Sequence, residues 1–181
     1  MSRPTDIRTA TIRAASPTDA AAIADVHCRA WRETCRGILP DVMVDGLTAE
    51  EALASWSQRL DPDSGVSVFG AEVEGAIVGF ISVKSSDEPN GDFDGMIDTL
   101  YIVQAGQGLG LGRALTATGA AALAENGCKE MGVVVHADNP ALGFYQAIGG
   151  RTVIERTRLH RGQMCPEVLL SWPLPLTLPN K

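Results

Sequence analysis

The sequence predicts a single α/β domain with a mixed sheet, and three observations lead there. Short apolar runs rich in β-branched and aromatic residues interleave with helix-periodic stretches in the order β-α-α-β-β-β-α-β-α-β-β. Residues 97–123, IDTLYIVQAGQGLGLGRALTATGAAAL, read as strand, glycine loop and helix. The 181 residues are enough for one core without a disulfide or metal staple, since a chain of this size buries about 70% of its unfolded surface. No internal repeat, low-complexity segment or linker divides the chain, so residues 1–181 are read as one domain.

Each element has a local reason. Residues 1–6 are polar and expected to be disordered; residues 9–14 form a first strand with Ile12 inward. Ser16 with Asp19 three residues on, and Pro17 between them, opens a helix. Ile23, Val26, Ala30 and Trp31 recur along it at helical spacing, and Gly37 and Pro40 end it. Thr48 and Glu51 form a second capping box, opening a helix towards Leu60 with Leu53, Trp56 and Leu60 on one stripe. The run VSVFGAEVEGAIVGFISVKS alternates and breaks at Glu74-Gly75, a β-hairpin pattern, and residues 87–95 are a polar loop. The central strand, loop and helix follow, with the helix expected over 113–125 and stopped by Asn126-Gly127. Residues 132–135 are a buried strand; Asn139-Pro140 starts a helix that Gly149-Gly150 stops. Residues 151–159 and 167–172 pair around Arg161-Gly162, and 173–181 form an extended, proline-rich tail.

Composition narrows the functional class. A net charge of −7 argues against a nucleic-acid or anionic-membrane surface and favours cationic partners such as amines. The four cysteines, Cys28, Cys35, Cys128 and Cys165, include no C-x-x-C pair, which fits reduced thiols in a cytoplasmic protein. No zinc-ligand spacing is present, so no metal is expected. No apolar run reaches the ~20 residues of a membrane helix, and the N-terminus lacks an apolar signal region.

Glycines at 106, 108, 110 and 112 lead into a helix N-terminus, where unpaired N–H groups and the dipole favour an anion. This predicts a main-chain phosphate cradle. The nucleoside-triphosphate loop fails because no lysine follows, and the dinucleotide fingerprint fails because its third glycine falls on Leu111 or Arg113. What stands there, Gln107-Gly108-Leu109-Gly110-Leu111-Gly112, resembles the pyrophosphate motif Q/R-x-x-G-x-G/A of the GNAT superfamily of acyl-CoA N-acyltransferases. Leu100-Tyr101-Ile102 is similar to that family's strand beside the pantetheine arm, and the element order resembles its fold from end to end. The resemblance implies a mainly antiparallel central sheet of about seven strands, acetyl-CoA as co-substrate, and cofactor contacts from Leu100, Tyr101, Ile102, residues 107–112 and Arg113.

A second segment, NPALGFYQAIGG, resembles the family's Asn…Phe-Tyr…Leu-Gly stretch, with the Asn-to-Tyr spacing one position shorter than the commonest form. The resemblance implies that Asn139 contacts the CoA arm and that the Tyr145 hydroxyl protonates the departing thiolate. For Asn139 a plain helix N-cap is the alternative, and for Tyr145 a packed core aromatic. The family's oxyanion donor, a backbone N–H on the central strand, maps to Leu100. Where members often carry a glutamate base, this chain has Met96. Asp98 shares its strand face and is a candidate base; His136 is a second, and desolvation of the amine in place of any base is a third route.

The family pattern places the acceptor pocket on the first two helices and their loop, with Trp31, Glu33 and Arg36 as candidate lining residues. The reading is an acetyl-CoA-dependent N-acetyltransferase acting on a small-molecule amine, and the sequence admits a homodimer. The competing reading is a non-catalytic acyl-CoA-binding sensor or interaction module, favoured by Met96 and opposed by Tyr145 and the complete glycine loop.

Overall fold

The computed structural model describes residues 10–86, 88, 93–160 and 162–179. The expected disorder of residues 1–6 therefore lies outside the described residues, as do Arg161 and the last two residues of the tail. The chain runs β1 (Ala10–Ala14), α1 (Ala20–Cys35), α2 (Asp41–Val44), α3 (Ala49–Arg59), β2 (Ser67–Val73), β3 (Ala76–Ser85), β4 (Gly95–Ile102), α4 (Leu111–Glu125), β5 (Glu130–His136), α5 (Ala141–Ala147), β6 (Arg151–His160) and β7 (Gln163–Pro173).

Local signals place most boundaries. Both capping boxes form: Ser16 N–H donates to Asp19 at 2.8 Å, and the Thr48 and Glu51 side chains each take the other's backbone N–H at 3.2 Å. The first box opens a 3-10 turn, Pro17–Asp19, and α1 begins one residue later. Pro40, expected only to follow a helix end, also starts the one-turn α2. The buried stripe of α3 is Ala52, Trp56 and Leu60, while Leu53 is 42% exposed; the helix is rotated from the expected stripe so that Trp56 fills the core. The β2–β3 hairpin turns at Glu74-Gly75, both at positive φ, as a two-residue turn between twisted strands requires.

The seven strands form one sheet in the order β1-β2-β3-β4-β5-β7-β6, antiparallel except where β4 meets β5. One apolar layer packs the sheet against α4 and α5, with Ile81, Leu115, Met131 and Leu170 at its centre. The other packs α1 and α3 through Ile23, Val26, Trp56 and Phe80. The tail after β7 is extended as expected, and Leu174, Leu176 and Leu178 turn onto the first layer. No helix among the described residues is long and apolar enough to cross a membrane.

Two irregularities in β4 position the site. Ser82 faces Thr99 and Val83 faces Ile97, so Asp98 is an extra, bulged residue. A bulge bends its strand and increases the local twist. On the other side, β4 pairs with β5 only through Gly95–Met131, Met96–Gly132 and Ile97–Val133. Beyond the bulge the two parallel strands part.

Candidate active site

The parting of β4 and β5 leaves a cleft of about 750 Å³. Asp98 to Tyr101 form one wall, Val134 to His136 the other, with Tyr145 of α5 beside them. The α1 side chains His27 and Trp31 cover the opposite face of the sheet.

Strand geometry makes Leu100 a donor. Val103 N–H donates to Val78 O at 3.0 Å, so alternation turns the N–H groups of Thr99 and Tyr101 to β3 and those of Leu100 and Ile102 towards the departed β5. The Ile102 carbonyl is taken by the Gln107 side-chain amide at 3.1 Å, which ties the glycine loop to the strand end. Leu100 thus presents an N–H to the cleft without a strand partner among the described residues.

The glycine loop is built from backbone. Gly108 and Gly110 each sit at φ +77°, a left-handed conformation that side chains strain, and no atom lies within 4 Å of where a Cβ would project. Gly110 caps α4, which begins at Leu111, two residues ahead of the expected start. The first helical bond is Ala114 N–H to Gly110 O, so the N–H groups of Leu111, Gly112 and Arg113 precede it and remain for a ligand. The Leu111 side chain is buried in the core and Leu109 is 47% exposed, so this stretch offers main chain to an anion. Gly112 is needed for packing as well, because a Cβ there would stand 3.1 Å from the Phe144 ring. The Arg113 guanidinium donates to the Pro179 carbonyl of the tail.

Tyr145 is 4% exposed, its ring packed on Phe144 and Trp172, and its hydroxyl has no hydrogen-bond partner among the described residues. Burial pushes its phenol well above the usual tyrosine range, so the proton stays on at neutral pH. Asn139 lines the cleft while its Oδ1 accepts from Ala141 N–H at 2.8 Å, a turn that leads into α5. The helix itself begins at Ala141 with Pro140 in the N-cap position, one residue later than expected, and the Asn139 side-chain NH₂ remains to donate. Tyr101 is half-buried beneath α1, and Ile102 packs beneath the glycine loop.

Asp98 projects to the α3 side, where Arg59 donates to it and Lys84 lies 3.4 Å away. Burial acts to raise its carboxyl, but these two cations outweigh it and hold the group below the usual carboxylate range. His136 lines the cleft with Nδ1 accepting from Asp138 N–H at 3.2 Å.

Of the expected acceptor residues, Trp31 lines the cleft, its Nε1 anchored on Val44 O at 3.1 Å. Glu33 instead accepts from Gln104 N–H at 2.8 Å, just before the glycine loop. Arg36 is held by Asp41 at 3.0 Å and Asp45 at 2.5 Å on the surface, and neither Glu33 nor Arg36 lines the cleft. Sequence reasoning passed over His27, whose Nδ1 accepts from Trp56 Nε1 at 3.0 Å and whose ring stacks on Tyr101. Its spacing from Trp31, one helical turn on α1, was the available signal. Among the described residues no three His, Cys, Asp or Glu side chains are grouped to hold a metal ion.

Comparison with known proteins places this geometry. The family model described as the acetyltransferase (GNAT) family matches residues 26–149. The chain is 35% identical to the uncharacterized N-acetyltransferase YuaI of Bacillus subtilis (strain 168), over 90% of this chain and 92% of that one. It is 32% identical to the aminoglycoside N(6′)-acetyltransferase type 1 of Stenotrophomonas maltophilia, covering 74% of this chain and 85% of the relative. The fold is similar to that of the PaiA N-acetyltransferase of Thermoplasma acidophilum in complex with coenzyme A, with TM-score 0.71 and 18% identity over 91% of this chain and 99% of that one.

Proposed function

The chain belongs to the acetyltransferase (GNAT) family, and on that premise we propose that it transfers the acetyl group of acetyl-CoA to a primary amine of a small molecule by direct attack. The observation that carries this reading is the parting of β4 and β5 at Leu100, which puts that residue's N–H, the Tyr145 hydroxyl and an open glycine loop along one cleft.

Acetyl-CoA supplies the reactive thioester. The backbone N–H groups of residues 111–113 hold its pyrophosphate at the α4 N-terminus, and Gly108 and Gly110 let it approach. Leu100 N–H donates to the thioester carbonyl oxygen as negative charge develops there. Tyr145, kept protonated by burial, gives its proton to the departing sulfur. Asn139 orients the arm through its amide NH₂.

The amine must lose a proton before attack, since an ammonium has no lone pair. Asp98, committed to Arg59 and Lys84, is a weak base, so no side chain takes the proton. Trp31, Leu39 and Met43 desolvate the amine and lower its own pKa, and the ammonium gives its proton to water before attack. The proton the nitrogen loses after attack returns through solvent to the Tyr145 phenolate. The net charge of −7 supports a cationic acceptor such as an amine, and no lysine or arginine lines the cleft among the described residues. The likeness to an aminoglycoside acetyltransferase supports a small-molecule acceptor.

The test is a screen of amines that follows CoA release with a thiol reagent. Amine-dependent release is expected. Tight acetyl-CoA binding with no amine-dependent release would favour instead an acyl-CoA sensor, a reading for which Met96 speaks.

A further inference from the structure

We infer that His27, its proton fixed on Nε2 by Trp56, is the hydrogen-bond donor that recognises the acceptor, and that it selects amines which also carry an uncharged oxygen. This rests on the acetyltransferase reading above and names its substrate class.

The tautomer follows from donor chemistry. An indole Nε1–H only donates, so the imidazole Nδ1 it meets at 3.0 Å must be the lone-pair nitrogen, and the ring proton sits on Nε2. Burial, helped by the Arg59 charge, lowers the His27 pKa to about 4, so the ring stays neutral at physiological pH. The ring is also held in place. It stacks on Tyr101 at 5.2 Å and 27°, and meets the edges of Trp56 and Phe80 at 5.7 and 6.1 Å. Turning it would forfeit the Trp56 bond.

Nε2–H has no protein partner among the described residues, and His27 lines the cleft. A fixed donor facing a binding cleft calls for an oxygen lone pair. The other lining groups decide which oxygen. No lysine or arginine lines the cleft among the described residues, and the cations behind it are engaged, Arg59 with Asp98 and Arg156 with Glu88 and Glu167. Nothing therefore balances an anionic oxygen there, and a hydroxyl, ether or carbonyl fits the neutral donor. Position decides where it lies on the substrate. Tyr101, under the imidazole, adjoins Leu100 in β4, so the oxygen sits a few bonds from the reacting nitrogen. A neutral donor also avoids repelling the ammonium form that first enters.

The experiment uses matched amines, ethanolamine against n-propylamine and tetrahydrofurfurylamine against cyclopentylmethylamine, with kcat/KM expressed per neutral amine so that differences in amine basicity drop out. In the wild-type protein the first member of each pair should show about tenfold higher kcat/KM. His27→Phe keeps the stacked ring and removes both nitrogens, so the preference should collapse towards unity. His27→Gln returns an N–H near the Nε2 position and should restore part of it. The ratio is internal to each protein, so a general loss of activity cancels. Nitrogen-15 NMR of the wild-type imidazole should find Nε2 protonated and Nδ1 bare, a readout that needs no variant. Turnover without oxygen preference, a preference unchanged in His27→Phe, or a proton on Nδ1 would overturn the inference and leave the acetyltransferase reading standing. No turnover of any amine would overturn that reading and this inference with it.

Discussion

The Arg59 guanidinium donates to the Asp98 carboxylate while its central carbon lies 5.1 Å from the centroid of the Trp56 ring. One cation thus joins the bulge of β4 to the α3 core, and through Trp56 to His27. The bulge residue closest to the usual position of a base is therefore part of a structural ion pair.

The first prediction concerns that pair. Asp98→Asn should keep neutral-pH kcat/KM within about twofold of wild type, with activity rising with pH along the acceptor's own titration. Stability should behave differently. Arg59 and Lys84 depress the folded-state pKa of Asp98, so its contribution is present above the unfolded value of about 3.9 and fades as pH falls through the lower folded value. The Tm gap between wild type and Asp98→Asn should be full at pH 7 and shrink on acidification below about 4. A large loss of kcat/KM with folding and acetyl-CoA binding intact would make Asp98 the base.

Tyr145→Phe removes a hydroxyl and keeps the ring on Phe144 and Trp172. If the phenol protonates the leaving sulfur, kcat should fall on the order of 10²-fold with acetyl-CoA affinity nearly unchanged. An unaltered kcat with chemistry rate-limiting would reduce the residue to packing.

Gly110→Val puts a β-branched side chain at φ +77°, where it is strained by about 1–2 kcal/mol, and sets its bulk over the N–H groups of the first α4 turn. Calorimetry should show acetyl-CoA binding lost. Retained affinity would move the pyrophosphate elsewhere.

What was legible in the sequence was what is set locally. The capping boxes at Ser16 and Thr48, the hairpin at Glu74-Gly75 and the glycine loop each depend on neighbours within a few residues. The seven-strand sheet followed from element order, and the whole motifs around Leu100 and Tyr145 carry both residues to the cleft lining. The bulge at Asp98 depends on register with β3, and its partner Arg59 is 39 residues away. The bond between Trp56 and His27 spans 29 residues and decides a tautomer, which no periodicity encodes. Helical spacing groups Leu53 with Trp56 and Leu60, whereas the helix turns Ala52 inward beside Trp56 and leaves Leu53 at the edge.

The last prediction concerns Glu33, which the family pattern assigned to the acceptor pocket and whose carboxylate holds the Gln104 backbone N–H at 2.8 Å across 71 residues of sequence. That bond fixes the chain between β4 and the glycine loop, so its loss should disturb the cofactor end of the cleft rather than the acceptor end. Glu33→Ala leaves the Gln104 N–H to water and loosens the loop. Because the pair is exposed, the expected rise in acetyl-CoA Kd is modest, about threefold. Glu33→Gln keeps a side-chain oxygen in reach and should recover most of the affinity. The amine KM should move little in either variant, measured at saturating acetyl-CoA. A rise confined to the amine KM would return Glu33 to the acceptor pocket and separate the glycine loop from α1.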